Sequence, residues 1–381
     1  MDMKEHFTLI PVYGEKFIGR KDILKELVKE VSNPRSNIGF CLHGRRRVGK
    51  TSILKELEYE VSEVKGVVVA YLSLYEMADL SLKTFTEKLS MTVLEAFRRK
   101  KVLPFEYSIG VLMKSPGEVI DSALSKIKLG TELSKELKFF LEFKKEKKEN
   151  YTDAIERVFD LGERLANSAG VKFVLIIDEF PEILKVENGL QVVKMFRTLH
   201  ENHRNTSIII SGSEKRTLET VALGEASPFY KQLVPKRVPP FSFDESLEFL
   251  KKYGMKLSSD EARKLYETTE GIPFYMQYIC RSAKESKDID SAVDEFIREE
   301  GNVFFSEEFE KLSEKERVIA IAMSKGAKTP SEIAEISGEP VTSVSSYLVL
   351  LQDKGVVTKV EKATYMLVDK LFSFWLKKRY E

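Results

Sequence analysis

Apolar positions along this chain follow two rhythms. Asp22 to Val31 sets Ile23, Leu24, Leu27, Val28 and Val31 at helical spacing. "NIGFCLHG", "GVVVAYLSL" (Gly66 to Leu74), "VKFVLIIDEF" and "TSIIISGS" (Thr206 to Ser213) are instead short, nearly unbroken apolar runs, as strands covered on both faces tend to be. Helical patterns, "TSILKELEYEV" and "YTDAIERVFDLGERLANS", lie between them. The alternation predicts an α/β domain on a parallel sheet over residues 1–238, with an insertion at about 100–150. Within the insertion Ile127, Leu129, Leu133, Leu137, Phe139, Leu141 and Phe143 alternate, which favours a β-hairpin over a helix, and "KKEKKE" reads as a solvated tip.

After Pro239 and Pro240 the pattern becomes helical, predicting an α-helical lid domain over 239–305. From 306 to 381 the order is helix, helix, helix, hairpin: "SEKERVIAIAMSKG", "TPSEIAEISG", "EPVTSVSSYLVLLQDKG" and "VVTKVEKATYMLV". Thr329-Pro330 and Glu339-Pro340 supply cap and first-turn signals for the second and third helices. That order is a winged helix-turn-helix.

Composition changes the picture little. The 61 Lys and Arg nearly cancel 60 Asp and Glu, so any basic footprint for nucleic acid must be local. Cys41 and Cys280 stand far apart in apolar surroundings and read as buried, reduced thiols. No stretch reaches the roughly 18 apolar residues of a membrane span, and a cytoplasmic protein is expected. Abundant Lys and Glu with scarce Gln is a bias of proteins from very hot environments. The four histidines offer no metal set; His200 and His203 share a helical face without a third partner and read as solvated.

The chemistry is concentrated in "GRRRVGKT", a G-x-x-x-x-G-K-T loop between a strand and a helix. Gly44 and Gly49 allow the turn that aims backbone N-H groups at phosphate oxygens, and the next helix offers its positive end to the same anion. Lys50 would reach the β and γ phosphates and the Thr51 hydroxyl would hold Mg2+; Val48 and Ser52 complete the loop. Arg45, Arg46 and Arg47 are candidates to neutralise phosphate, against the alternative that their side chains point outward. "FVLIIDEF" ends in Asp178-Glu179, two carboxylates at the carboxyl edge of a strand. Asp178 would hold Mg2+ and Glu179 would orient or deprotonate the attacking water. In "IIISGS", just past the apolar run, Ser211 or Ser213 is a candidate sensor of the γ phosphate, Ser211 being favoured.

These residues together resemble the P-loop ATPases of the AAA+ superfamily, and more narrowly the archaeal ATPases of its STAND branch. The likeness rests on "FIGRKDILKEL", "GRRRVGKTSIL", "LIIDEF", "IIISGS", "SPFYKQLVPKRVPPFSFDESLEFL", "EGIPFYMQYI" and the terminal winged helix. It implies ATP rather than GTP, with ADP as product and Mg2+ as metal. It also implies that Phe17, Ile18, Gly19 and Arg20 lie over the adenine and that Gly271 and Pro273 bring the lid to the nucleotide. One departure stands out: where relatives end a segment in S-P-L-Y-G-R, this chain has Ser227, Pro228, Phe229, Tyr230, Lys231 and Gln232. The arginine is missing, with Lys231, Arg237, Arg204 and Arg216 as alternatives, so slow hydrolysis is expected.

The expected function is an ATP-dependent switch whose nucleotide state repositions the winged helix toward an unidentified protein partner. The alternative is ATP-regulated binding of duplex DNA, in the layout of an archaeal replication initiator. Thr342, Ser343, Ser345 and Ser346 would then face the groove, with Lys354, Lys359 and Lys362 near phosphates. Lys377, Lys378 and Arg379 offer further charge. A scaffold that binds ATP without turnover is a third reading.

Overall fold

A computed structural model of the chain describes residues 7–77, 79, 81–102, 151–213, 218–286 and 288–381. The expected hairpin at 127–143, the "KKEKKE" tip and Arg216 lie outside the described residues.

Five strands, β1 (Gly39–His43), β2 (Val67–Ser73), β3 (Lys172–Asp178), β4 (Thr206–Gly212) and β5 (Leu233–Arg237), form one sheet in the order β2-β3-β4-β1-β5. Every pairing is parallel. Helices α1 (Lys21–Val31) and α2 (Lys50–Glu63) share one layer with Phe40, Leu42, Val69, Val174, Ile176 and Ile209. Helices α3 (Leu82–Arg99), α4 (Tyr151–Ala169) and α5 (Gly189–Asn202) pack on the opposite face with Cys41, Ala70, Leu175, Ile177 and Ile210. Successive strand residues therefore feed opposite cores, which is why the strands read as continuous apolar runs. The edge strand β5 escapes the sequence pattern because it is short, holds Pro235 and buries only Leu233.

Four further helices follow: α6 (Phe243–Lys252), α7 (Ser259–Thr269), α8 (Pro273–Ser286) and α9 (Ile289–Glu310). The winged-helix elements are α10 (Glu314–Ser324), α11 (Pro330–Ser337), α12 (Val341–Asp353), the antiparallel β6 (Val357–Glu361) and β7 (Thr364–Leu367), and a closing α13 (Lys370–Tyr380). Capping boxes start α6, α7, α10 and α11, each a Ser or Thr paired with a Glu three residues on. At α12 Pro340 is itself the cap, without a side-chain bond, so the helix begins one residue later than a first-turn proline would give.

One hydrophobic cluster runs from Ile18 and Phe241 through Tyr275, Phe296 and Phe305 to Trp375 and Leu376. Helix α9 crosses position 305/306 without a break, so lid and winged helix share a core where a boundary was expected. The solvated reading of His200 and His203 is corrected: both are buried, 6% and 2% exposed, His200 in the last turn of α5 near Lys172 and His203, the residue that caps α5, against the Phe159 ring. Cys41 and Cys280 are buried free thiols, and burial pushes each up to about 12. Among the described residues, no helix is long and apolar enough to cross a membrane.

Candidate nucleotide site

The glycine loop leaves β1 at the carboxyl edge of the sheet, where ligands of open parallel sheets bind. A Cβ at Gly44 would stand 2.5 Å from the Val238 carbonyl oxygen, so the loop can pass β5 only as glycine. Arg47 and Gly49 take left-handed φ values of 65° and 96°, and nothing lies within 4 Å of where a Gly49 Cβ would project. Val48 is wholly buried and anchors the loop beneath. The turn ends at Lys50, the first residue of α2, so the helix's unpaired N-H groups face the loop's concavity. The Lys50 ammonium donates to the carbonyls of Gly44 and Arg45, at 3.3 and 3.2 Å. Burial lowers its pKa, opposed by Glu179 and Asp178. Thr51 and Ser52 are half-buried in the first turn, and the Ser52 hydroxyl accepts from the Val12 amide at 3.2 Å.

Asp178 ends β3 beside this loop and is 2% exposed. Its Oδ1 accepts from the Ser211 hydroxyl and, at 3.1 Å, from the Glu179 amide; its Oδ2 accepts from the Tyr71 hydroxyl at 2.8 Å. Glu179 takes a left-handed φ of 51°, which turns its side chain away from the strand. Burial raises its pKa, Lys50 pulls it down and Asp178 raises it again, the net being a stronger base than an ordinary glutamate. The Ser213 hydroxyl donates to Glu179 Oε2 at 3.4 Å. Ser211 is fully buried under Asp178, whereas Ser213 lies at the Glu179 carboxylate.

The Phe17 to Arg20 motif joins three regions. Phe17 packs with the core of α1 and α2, while Ile18 belongs to the lid cluster. Gly19 has φ 69°, and a Cβ there would meet Glu245 Oε1 at 2.5 Å. Arg20 donates to the carbonyls of Val48 (2.8 Å) and Pro239 (3.2 Å), and its guanidinium lies 3.9 Å from the Phe241 ring centroid. Burial lowers its pKa to about 10. Gly271 sits at φ 67° against the Phe241 carbonyl, and Pro273 begins α8.

The three loop arginines turn toward the C-terminal half. Arg45 reaches Glu270 at 3.2 Å and Asp369 at 3.9 Å; Arg46 and Arg47 reach Glu308 at 3.4 and 3.2 Å. Arg47 also donates to the Tyr275 hydroxyl at 3.1 Å, and Tyr275 donates to Asp369. Sequence reasoning missed Tyr71, Glu270, Glu308 and Asp369, since none stands in a phosphate motif. Only the quoted "EGIPFYM" pointed near Glu270 and Tyr275.

A family described as an ATPase domain predominantly from Archaea matches residues 17–279. The chain belongs to that family. As an archaeal-type P-loop ATPase it is an ATP-hydrolysing enzyme that takes ATP and Mg2+. Its fold is similar to that of the Walker-type ATPase of Pyrococcus abyssi, 20% identical with TM-score 0.69, over 97% of this chain and 99% of that one. It is also similar to the ORC2 protein of Aeropyrum pernix in its ADPNP-ADP complexes, 14% identical with TM-score 0.57, over 97% and 96%. No curated protein matches the chain. The donor set fits the group this ATPase takes. A glycine cradle, a buried ammonium, a hydroxyl in the first helical turn and a strand-end carboxylate occupy one edge of the sheet.

Proposed function

We propose that the protein is a nucleotide-operated switch of the STAND type in which phosphate binding loosens the winged helix from the glycine loop. The carrying observation is the grip of Glu270, Glu308 and Asp369 on Arg45, Arg46 and Arg47. These carboxylates come from the lid, from α9 and from the cap of α13, so loop and winged helix are joined by charge. Phosphate oxygens arriving at the loop compete for the same guanidinium groups. A ligand shifts such an equilibrium only by its differential affinity for the two arrangements, and this competition supplies one.

In this reading Lys50 exchanges its two carbonyl partners for phosphate oxygens. Thr51 and Asp178 hold Mg2+, which when bound neutralises charge developing on the transferred phosphoryl. Glu179, with its raised pKa, orients the attacking water and takes its proton. Ser211 positions Asp178, and Ser213, beside Glu179, is the better placed sensor. Phe17, Ile18 and Gly19 line the adenine side, while the buried Arg20 fixes the loop to the lid. Gly271 and Pro273 bring α8 to the site. Among the described alternatives Arg237, exposed at the end of β5 opposite His43, is better placed to act than Arg204, which lies before β4 at the other edge of the sheet.

A second reading, ATP-regulated binding of duplex DNA, draws on the fold shared with an archaeal ORC2 protein and on the exposed Thr342, Ser345 and Ser346 of α12. Lys359 and Lys362 on the wing are exposed and available to phosphates. Lys354, Lys377 and Lys378 are instead held by Glu316, Glu381 and Asp294. Mg2+-dependent phosphate release decides between the readings when measured with and without duplex DNA and with Lys50→Ala as blank. Glu179→Gln is expected to keep ATP binding and lose about 100-fold or more in turnover. Stimulation by DNA beyond about tenfold, with binding that weakens steeply in salt, would establish the DNA reading. Release from Glu179→Gln equal to wild type would remove that residue from the chemistry.

A further inference from the structure

We infer that Tyr71 is a positioning residue for the metal site, a phenol that holds Asp178 in register and is itself held by Lys55 on the helix of the glycine loop. The inference rests on the reading that Asp178 holds Mg2+. Asp178 is nearly inaccessible, and each of its oxygens is claimed: Oδ1 by Ser211 and the Glu179 amide, Oδ2 by Tyr71 at 2.8 Å. A carboxylate fixed on both oxygens cannot swing about its last torsion, so its remaining lone pair, on Oδ2, points in a defined direction.

Tyr71 lies on β2, the strand beside β3, two residues before Ser73, which pairs with Asp178. Its side chain reaches forward along the sheet to the strand end. Above the ring the Lys55 ammonium lies 3.3 Å from the centroid. Lys55 follows Thr51 by four residues in α2, so both stand on one face of that helix. Thr51, Lys55, Tyr71 and Asp178 thereby link the two sides of the metal site through one cation-π contact and one hydrogen bond. Such outer partners set the orientation, and hence the affinity, of the groups that hold a metal.

The test is Mn2+ binding to the full chain carrying a nonhydrolysable ATP analogue, read as loss of free Mn2+ by EPR. Binding of the same analogue in EDTA and thermal melting are measured alongside. Tyr71→Phe is expected to weaken Mn2+ roughly tenfold while leaving binding in EDTA and melting unchanged, a pattern that a merely structural tyrosine does not produce. Lys55→Met, which keeps the Tyr71 to Asp178 bond, is expected to move Mn2+ affinity the same way by less, and it carries the test should Tyr71→Phe fail to fold. Unchanged or tighter Mn2+ binding by Tyr71→Phe, with Asp178→Asn still losing the ion, overturns the proposal. Full Mn2+ affinity in Asp178→Asn overturns it at its premise and locates the failure in the metal reading.

Discussion

His200 shows what burial does to a single side chain here. It sits under the sheet near Lys172, His203 and Glu163, and burial first, then the His203 and Lys172 charges, lower its pKa to about 4, against the small pull of Glu163. Among the described residues its Nδ1 has no hydrogen-bond partner. An unfolded histidine takes up its proton near pH 6.5, whereas the folded one stays neutral until about 4. Stability tied to this residue is therefore present above pH 6.5 and is lost as pH falls toward 4, by up to about 3 kcal/mol. Urea midpoints at pH 7 and pH 4.5 should separate by less in His200→Gln than in the wild type. An equal separation would mean that other groups carry the acid sensitivity. Lysine and arginine show the same logic at the site, where carbonyl oxygens accept hydrogen bonds from the buried Lys50 and Arg20 and nearby carboxylates, Glu179 and Asp178 for Lys50 and Glu245 for Arg20, offset the cost of burial.

At the scale of elements, the glycine loop depends on its passage beside the chain leaving β5. Val238 donates its amide to the His43 carbonyl at 2.7 Å and turns its own carbonyl toward Gly44. Gly44→Ala places a methyl against that oxygen, and since both partners are backbone, neither yields cheaply. The variant is expected to lose nucleotide affinity by a factor of about ten or more, roughly 1.4 kcal/mol, while circular dichroism remains that of the folded chain. Wild-type affinity in Gly44→Ala would show that the loop relaxes without cost. Elements with a strong periodic pattern were legible: α1, β1 to β4, the capped helices α6, α10 and α11, and the β6-β7 hairpin follow the sequence reading. Strand β5 was not, because a short edge strand carrying a proline lacks alternation. The cap of α12 was misplaced by one residue, since proline serves either as cap or as first residue.

For the whole molecule, the decisive contacts join residues more than two hundred positions apart. Glu308 holds both Arg46 and Arg47, and burial raises its pKa while those arginines lower it. If phosphate competes for the arginines, Glu308→Gln should tighten binding of an ATP analogue by about tenfold, within the 1–3 kcal/mol usual for coupled sites. Equilibrium binding checks this, and an unchanged Kd would remove Arg46 and Arg47 from the coupling. The ring of aromatic side chains around Arg47, with Phe274, Phe304 and Phe305 centroids 5.1 to 5.7 Å from its guanidinium, helps keep that arginine turned from the loop.

The sequence by itself determined the chemistry that depends on neighbours in the chain. The glycine loop, Lys50 and Thr51 follow one another, Asp178 and Glu179 end one apolar run, and Ser211 and Ser213 end another; local backbone geometry suffices to bring these stretches to one edge of the sheet. Only the tertiary structure decided what the side chains meet. The loop arginines are held by Glu270, Glu308 and Asp369, His200 and His203 are buried, Asp178 is clasped by Ser211 and Tyr71, and lid and winged helix share one core. The physical reason is that charge pairing and burial are set by distance in space, and the partners here come from strands and helices that the parallel sheet and the shared core bring together from remote parts of the chain.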